Sequence, residues 1–300
     1  MSVLKISDLH KTYKTSFYKK NKKVLNGLSF SVPEGTVTGF LGGNGAGKTT
    51  AIKCILDLCI PDSGEILFFD KKKISLAVKE KIGFLPERPY FYNYLTGLEF
   101  LKFYGKLSKM SNQNIIIKST SLLKKLDLYH YKDQLLGSYS KGMLQKIGIA
   151  QALIHDPDLL ILDEPMSGLD PDGRHYISEI IKDTAKKGKS IFFSSHLLDD
   201  VEKISQNLVI LKESKLLYEG QTEELLKTYQ SGYELHYSLN SEKHILKLKE
   251  LSLMQSKIEE LIKKGAIIFE FKAVRPSLEE VFVNMALNTQ QTHSKHIVNK

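Results

Sequence analysis

The chain of 300 residues has no tryptophan, two cysteines and eight prolines. It also lacks any apolar run of the roughly 18 residues that a helix needs to cross a bilayer. Each shortage excludes something. Cys54 and Cys59 sit on or beside one predicted helix, too few and too local for a disulfide framework or a zinc site. The first eight residues, Met1 to Asp8, have no apolar core, so no signal peptide is expected and the cytosol is the default compartment. Acidic residues are in the minority: 43 Lys and Arg against 34 Asp and Glu leave a net charge of +9. A surplus of that sign suits nucleic acid or an anionic membrane face. The lysines, however, are scattered, with small clusters at Lys19-Lys20 and Lys71-Lys72-Lys73 and no interleaved aromatic stacking groups. A lysine-rich solvated surface is the expectation, and no nucleic-acid partner is expected. The apolar fraction of 42% is that of an ordinary globular protein.

What the chain does have is concentrated in Gly42-Gly43-Asn44-Gly45-Ala46-Gly47-Lys48-Thr49-Thr50, which matches the phosphate-loop pattern G-x-x-x-x-G-K-[ST]. The chemistry explains the composition. Backbone N–H groups wrap a triphosphate tail closely when side chains stay out of the way, hence glycine. Lys48 supplies a point charge to the β- and γ-phosphates. The Thr49 hydroxyl suits Mg²⁺, and Thr50 opens a helix whose N-terminus favours an anion. A buried strand, Thr36 to Leu41, enters the loop, and a helix reaching about Leu58 leaves it. That is the context the motif requires. By itself the loop says that the chain binds a nucleoside triphosphate.

Taken in order, Val3 to Lys11 and Gly27 to Val32 read as strands of an antiparallel edge, joined by a loop from Lys14 to Lys23, with another short strand at Ile66 to Phe69. Ile82 to Leu85 is a short apolar strand ending at Pro86. From Arg88 to Ser138 the spacing is helical, an insertion within an α/β core. A helix follows Ser140 and runs to about Ile154. Leu159 to Leu162 and Ser190 to Ser195 are continuous apolar runs with polar ends, the mark of buried parallel strands. Helices are expected over Tyr176 to Lys186 and Leu197 to Ile204, and a closing hairpin over Leu208 to Gly220. After Lys227 the pattern changes. A strand from Tyr233 to Leu239, a lysine-rich helical stretch with a helix around Ile258 to Lys263, a strand from Ala266 to Lys272 and a helix from Leu278 to Met285 read as a small α+β appendage.

Asp163 and Glu164 end one buried strand on the side of the sheet where ligands bind in such folds. There Asp163 would hold Mg²⁺ and Glu164 would polarise the attacking water. His196 ends another buried strand, where its imidazole reaches the γ-phosphate or that water.

With these residues in order the chain resembles the ATP-binding subunit of ABC transporters, over roughly residues 3–225. Tyr13 looks like the aromatic residue that stacks on adenine. Pro86-Glu87 lies where the family carries its Q-loop, with Glu87 in place of the usual glutamine, beside γ-phosphate and magnesium. Ser140-Lys141-Gly142-Met143 resembles the family signature in the variant of drug, lipid and polysaccharide exporters, Leu159 to Glu164 the second phosphate motif, and Ser167-Gly168-Leu169-Asp170 the D-loop. Gly43 stands where the family usually has proline. Arg275 to Phe282 is similar to the end of the exporter branch, and a serine-capped helix with Leu278, Val281 and Phe282 inward accounts for it equally well.

The resemblance implies an α/β fold: a P-loop NTPase core with a parallel sheet, an antiparallel β edge and an inserted helical subdomain at about 88–138. The ATPase domain would span 1–228, the α+β appendage 229–287, and a disordered tail 288–300. It implies ATP and Mg²⁺ as ligands, Lys48, Glu164 and His196 as catalytic residues, and Thr49, Asp163 and Glu87 at the metal. Ser140, Gly142 and Asp170 would meet the nucleotide held by a second ATPase subunit. A separate transmembrane permease would place the chain at the inner face of the membrane. Two rivals remain at this point. A soluble ABC-type ATPase acting on nucleic acid would carry a long coiled coil before the signature, where this chain has about 90 residues of globular pattern. A small-molecule kinase would need neither signature nor switch histidine.

Overall fold

Loose alternation along β1 (Ser2–Tyr13) turns Val3, Leu4, Ile6 and Leu9 inward and pairs the strand antiparallel with β2 (Lys22–Pro33). In β3 (Val37–Gly42) every residue is buried, as the unbroken apolar run requires. It feeds the glycine loop and then α1 (Lys48–Ile55), which ends at Leu56, earlier than expected, because Asp57 turns into left-handed backbone at φ 61°. β4 (Ser63–Phe68) returns to the free side of β1 and completes the antiparallel edge sheet, in the order β2-β1-β4. The computed structural model describes residues 1–14, 21–69, 74–230 and 232–285. The lysine clusters at 19–20 and 71–73, most of the expected loop after Lys14 and the expected tail at 288–300 lie outside the described residues.

After α2 (Leu76–Lys79) and β5 (Ile82–Leu85) comes the insertion, and here the helical expectation is too generous. Residues 86–95 are not helical. Pro86 and Pro89 stand in that segment, and the first helix, α3 (Gly97–Leu107), begins only at a Thr96–Glu99 capping box. α4 (Asn112–Lys125) and two 3-10 turns, Tyr129–Tyr131 and Leu136–Ser138, complete it. α5 (Lys141–Leu153) starts at the Ser140 cap. Then β6 (Leu159–Asp163), α6 (Pro171–Lys186), β7 (Ser190–Ser195), α7 (Leu198–Ile204), β8 (Asn207–Lys212) and β9 (Lys215–Gln221) follow. α6 starts well before the expected Tyr176. The reason is written in Asp170-Pro171: the Asp170 carboxylate accepts from the Gly173 N–H, and proline sits at the first helical position.

The main sheet has six strands in the order β5-β6-β7-β3-β8-β9. The pairs from β5 through to β8 are parallel. Glu213 and Ser214, both at positive φ, make the two-residue turn that folds β9 back beside β8. Phe30 of the edge sheet packs on Phe40 and Phe192 of the main sheet with ring centroids 5.5 Å apart, and those two rings lie 5.0 Å from each other, contacts worth about 0.5–1.5 kcal/mol each beyond their burial. This order sets the C-terminal ends of β6, β7 and β3 side by side, with Asp163 paired to Ser194 and Leu41 to Ser195.

The chain divides into two compact units at Gly220/Gln221, so α8 (Thr222–Thr228) belongs with the second, not the first. The second unit carries a sheet in the order β11-β10-β12, from β10 (Gly232–Leu239), β11 (Glu242–Leu248) and β12 (Ile267–Val274), and the helix α9 (Ser252–Lys263). β11 is a correction: the lysine-rich stretch after Leu239 was expected to be helical. Asn240 and Ser241 both adopt positive φ and close a hairpin, and Leu246 and Leu248 then face the small core around Leu235, Met254 and Leu261.

Candidate active site

The site is assembled where the three neighbouring strands end. Past β3 the loop reaches Gly47 at φ 111°, where a Cβ would stand 2.6 Å from the Val24 carbonyl oxygen, so only glycine fits as α1 begins. Gly45, at φ 79°, and Gly43 have no neighbour within 4 Å of an added Cβ. Both positions have open space on the side where a Cβ would stand. The cleft they border has a volume of about 510 Å³. Of the expected residues, Tyr13, Gly43, Asn44, Gly45, Gly47, Lys48, Thr49, Thr50, Glu87, Glu164 and His196 line it. Gly42 and Ala46 are not on its wall. Gly42 lies against the Leu211 carbonyl, and Ala46 is buried in the core with its N–H turned to the Gly43 carbonyl at 3.1 Å.

Three side chains meet at the mouth of β6. The buried Lys48 ammonium donates to the Gly42 carbonyl at 2.7 Å and stands 3.3 Å from Glu164 Oε1. The other oxygen of Glu164, Oε2, lies 2.7 Å from His196 Nδ1. A carboxylate accepts, so the Nδ1 carries the proton and Nε2 is the free ring nitrogen. Glu164 takes φ 52°, a left-handed conformation uncommon for glutamate, which turns its side chain across the strand ends.

Asp163 is buried beneath the wall. Its Oδ1 accepts from the Ser194 hydroxyl at 2.5 Å, and the Thr49 hydroxyl also bonds its carboxylate. Burial pushes its carboxyl above the ordinary range. The two hydroxyls oppose that shift, and the nearby Glu87 and Glu164 carboxylates add to it. A cation here offsets that repulsion, and the hydroxyl and carboxylate oxygens are the hard donors Mg²⁺ takes, so the residues fit the metal.

Sequence reasoning missed Ser194. Its hydroxyl donates to Asp163 and accepts from the Glu164 N–H at 2.9 Å, fixing both carboxylates at once. The signal was the pair of serines ending an apolar strand. Gln145, whose amide donates to the Pro165 carbonyl at 2.7 Å, anchors the chain just past Glu164. Lys22, paired across β2 with Tyr13, lines the cleft and was read as loop.

Ser140, Gly142 and Asp170 are not brought to this cleft. They line a second one of about 330 Å³ at the start of α5 and α6. There the Ser140 hydroxyl accepts from the Met143 N–H at 3.3 Å.

Known proteins are similar to this chain over most of its length. The ABC transporter family model matches residues 25–167. An uncharacterised ABC transporter ATP-binding protein of Nostoc sp. is 38% identical over 100% of this chain and 94% of its own. The bacitracin transport ATP-binding protein BcrA of Bacillus licheniformis is 33% identical over 95% of this chain and 97% of its own. Among solved structures, an ATP-binding subunit of an ABC transporter superposes with a TM-score of 0.67 at 29% identity, covering 76% of this chain and 93% of that one. Subunits of this kind pair with one another and work with transmembrane permease components. The chain belongs to the ABC transporter ATP-binding proteins, the subunits that bind ATP with Mg²⁺ and hydrolyse it.

Proposed function

We propose that this chain powers export through a separate permease, as one of two ATPase subunits that hold ATP between them at the inner face of the membrane. The observation that carries this reading is the separation of the two clefts: the phosphate loop lines one, and Ser140 and Gly142 line the other. A single triphosphate meets both sets when a second subunit faces the first.

In that pairing Lys48 takes the β- and γ-phosphates and Tyr13 stacks on adenine. Thr49 and Asp163 hold the metal, with Glu87 beside it. When bound, Mg²⁺ neutralises charge on the phosphate oxygens. Once the γ-phosphate occupies the Lys48 ammonium, the Glu164 carboxylate is left to polarise the attacking water, and the His196 Nδ1–H holds it in place. From the other subunit, Ser140 and the N-terminus of α5 meet the γ-phosphate, while Asp170 caps α6 and holds the loop before it. Losing the γ-phosphate removes the bridge, which biases an open–closed equilibrium. The helical insertion conveys that motion to the permease.

Export is supported by the Lys141 and Met143 variant of the signature. The relative named for bacitracin transport makes peptide antibiotics the first cargo class to test. The decisive measurement is light scattering of the full chain carrying Glu164→Gln with ATP and magnesium. A stable ATP-dependent dimer is expected, and a protein that binds ATP yet stays monomeric overturns the paired arrangement.

A further inference from the structure

The two cysteines of the chain come together beside the nucleotide cleft. Helix α1 ends in a Schellman turn: the Leu58 N–H reaches the Lys53 carbonyl at 2.8 Å, the Asp57 N–H reaches the Cys54 carbonyl at 3.1 Å, and Asp57 supplies the left-handed residue. The Cys59 N–H shares the Lys53 carbonyl at 3.1 Å. This folds Cys59 back towards the helical turn that carries Cys54, and the two thiols interact. Cys54 is buried in the core, and Cys59 packs against that core half-buried. On its other side the Cys59 Sγ lies 3.6 Å from the Tyr13 hydroxyl. Tyr13 lines the cleft, and α1 itself begins with Lys48 and Thr49.

We propose that Cys54 and Cys59 form an oxidisable dithiol, a modification site for low-molecular-weight disulfides, whose closure loosens Tyr13 and weakens nucleotide binding. The chemistry follows from the surroundings. The Lys11 ammonium interacts with both thiols. Burial pushes the Cys54 thiol up to about 12, so Cys54 stays protonated and Cys59, the more accessible sulfur, meets the oxidant first. The Cys59 thiolate attacks one sulfur of a disulfide RSSR, forming a mixed disulfide and releasing one RS⁻, which takes a proton. Cys54 gives up its proton and attacks the Cys59 sulfur, releasing the second thiol. The sum is two cysteine thiols plus RSSR giving one Cys54–Cys59 bond and two RSH. Two electrons pass to the RSSR sulfurs, and two protons leave with them. The Cys59 sulfur then no longer carries a hydrogen and accepts poorly, so the Tyr13 hydroxyl loses one of its two partners and keeps Thr50.

The effect on nucleotide affinity rests on the cleft being the ATP site; formation of the disulfide does not. The test treats the full chain with glutathione disulfide, reads intact mass, and measures ATP affinity by calorimetry before and after, in wild type and in Cys59→Ser. A mass loss of about 2 Da, reversed by dithiothreitol, is expected, because closing one disulfide removes two hydrogens. With it the wild-type Kd should rise about threefold to tenfold, the ordinary worth of one hydrogen bond, and Cys59→Ser should be unmoved. Two thiols that remain free to alkylation, or a stable glutathione adduct that never resolves, overturn the dithiol. A disulfide that forms and leaves the Kd unchanged overturns its link to Tyr13. Reduced protein that binds no ATP would instead sink the functional reading and leave the mass result standing.

Discussion

The two clefts of the first unit differ in what they contain. The cleft at the phosphate loop holds Lys48, Glu164 and His196 in one connected chain of contacts, with Asp163 fixed beneath. In the cleft at Ser140, the serine hydroxyl and the Asp170 carboxylate are turned to the backbone N–H groups of their own helices. The first is equipped for bond cleavage; the second presents helix N-termini. In the proposed pairing, where one triphosphate meets both clefts, hydrolysis would depend on the meeting of two surfaces, which is what an engine coupled to movement needs.

That contrast can be broken from either side. The largest effect is expected for Glu164→Gln, which keeps the hydrogen-bonding shape but not the base. Steady-state ATP turnover should fall by about 10²- to 10⁴-fold, the usual range for general-base catalysis, with nucleotide affinity retained. Turnover within a few fold of wild type would remove Glu164 from that role. Lys48→Ala should weaken ATP binding by about 10- to 100-fold in calorimetry, as expected for losing hydrogen bonds to a charged donor. Unchanged affinity would contradict the phosphate-loop assignment. Ser140→Ala acts on the other cleft. It removes a helix cap worth about 0.5–2 kcal/mol and, with it, the hydroxyl proposed to meet the second subunit's nucleotide. The expected outcome is weaker ATP-dependent pairing at unchanged single-chain affinity, with Ser140→Thr restoring it. Equal losses of affinity and pairing would mean that the two clefts are not separable.

The smallest effect concerns pH. Asp163 has its carboxyl raised, chiefly by burial, so the folded protein disfavours its charged form. A raised carboxyl contributes stability while protonated and loses it as pH climbs through the folded value. Metal binding has the opposite sign, because it needs the carboxylate. Magnesium affinity, followed by calorimetry from neutrality downward, should therefore begin to fall at a higher pH than an ordinary aspartate would dictate. Asp163→Asn should flatten that dependence and weaken the metal most near neutrality, where wild-type Asp163 is a carboxylate.

The two units also differ in how far they could be read in advance. β3, β6 and β7 are buried at every position, so each stands out as an apolar run, and the charged residues that follow are conspicuous against it. β11 and β12 are largely exposed, and their lysines and glutamates blur the period-2 signal. β11 was mistaken for helix for that reason, since the deciding residues are the two in the turn, Asn240 and Ser241. The helix start at Asp170-Pro171 is legible in the sequence, as a capping aspartate followed by proline at the first helical position. The stretch after Pro86 was read as helix from its apolar residues, although its prolines argued otherwise.

The order of motifs along the chain, the glycine loop and the polar ends of apolar strands were decided by the sequence alone, because backbone sterics and burial period act over a few neighbouring residues. The strand order β6-β7-β3 was not, because it pairs segments far apart in the chain. Only that order puts Ser194 against both Asp163 and Glu164, Glu164 between Lys48 and His196, and Ser140 in a cleft of its own. The pairing of Cys59 with Tyr13 likewise depends on how β1 passes the end of α1. Contacts between distant segments are settled by packing the whole core, and no local pattern encodes them.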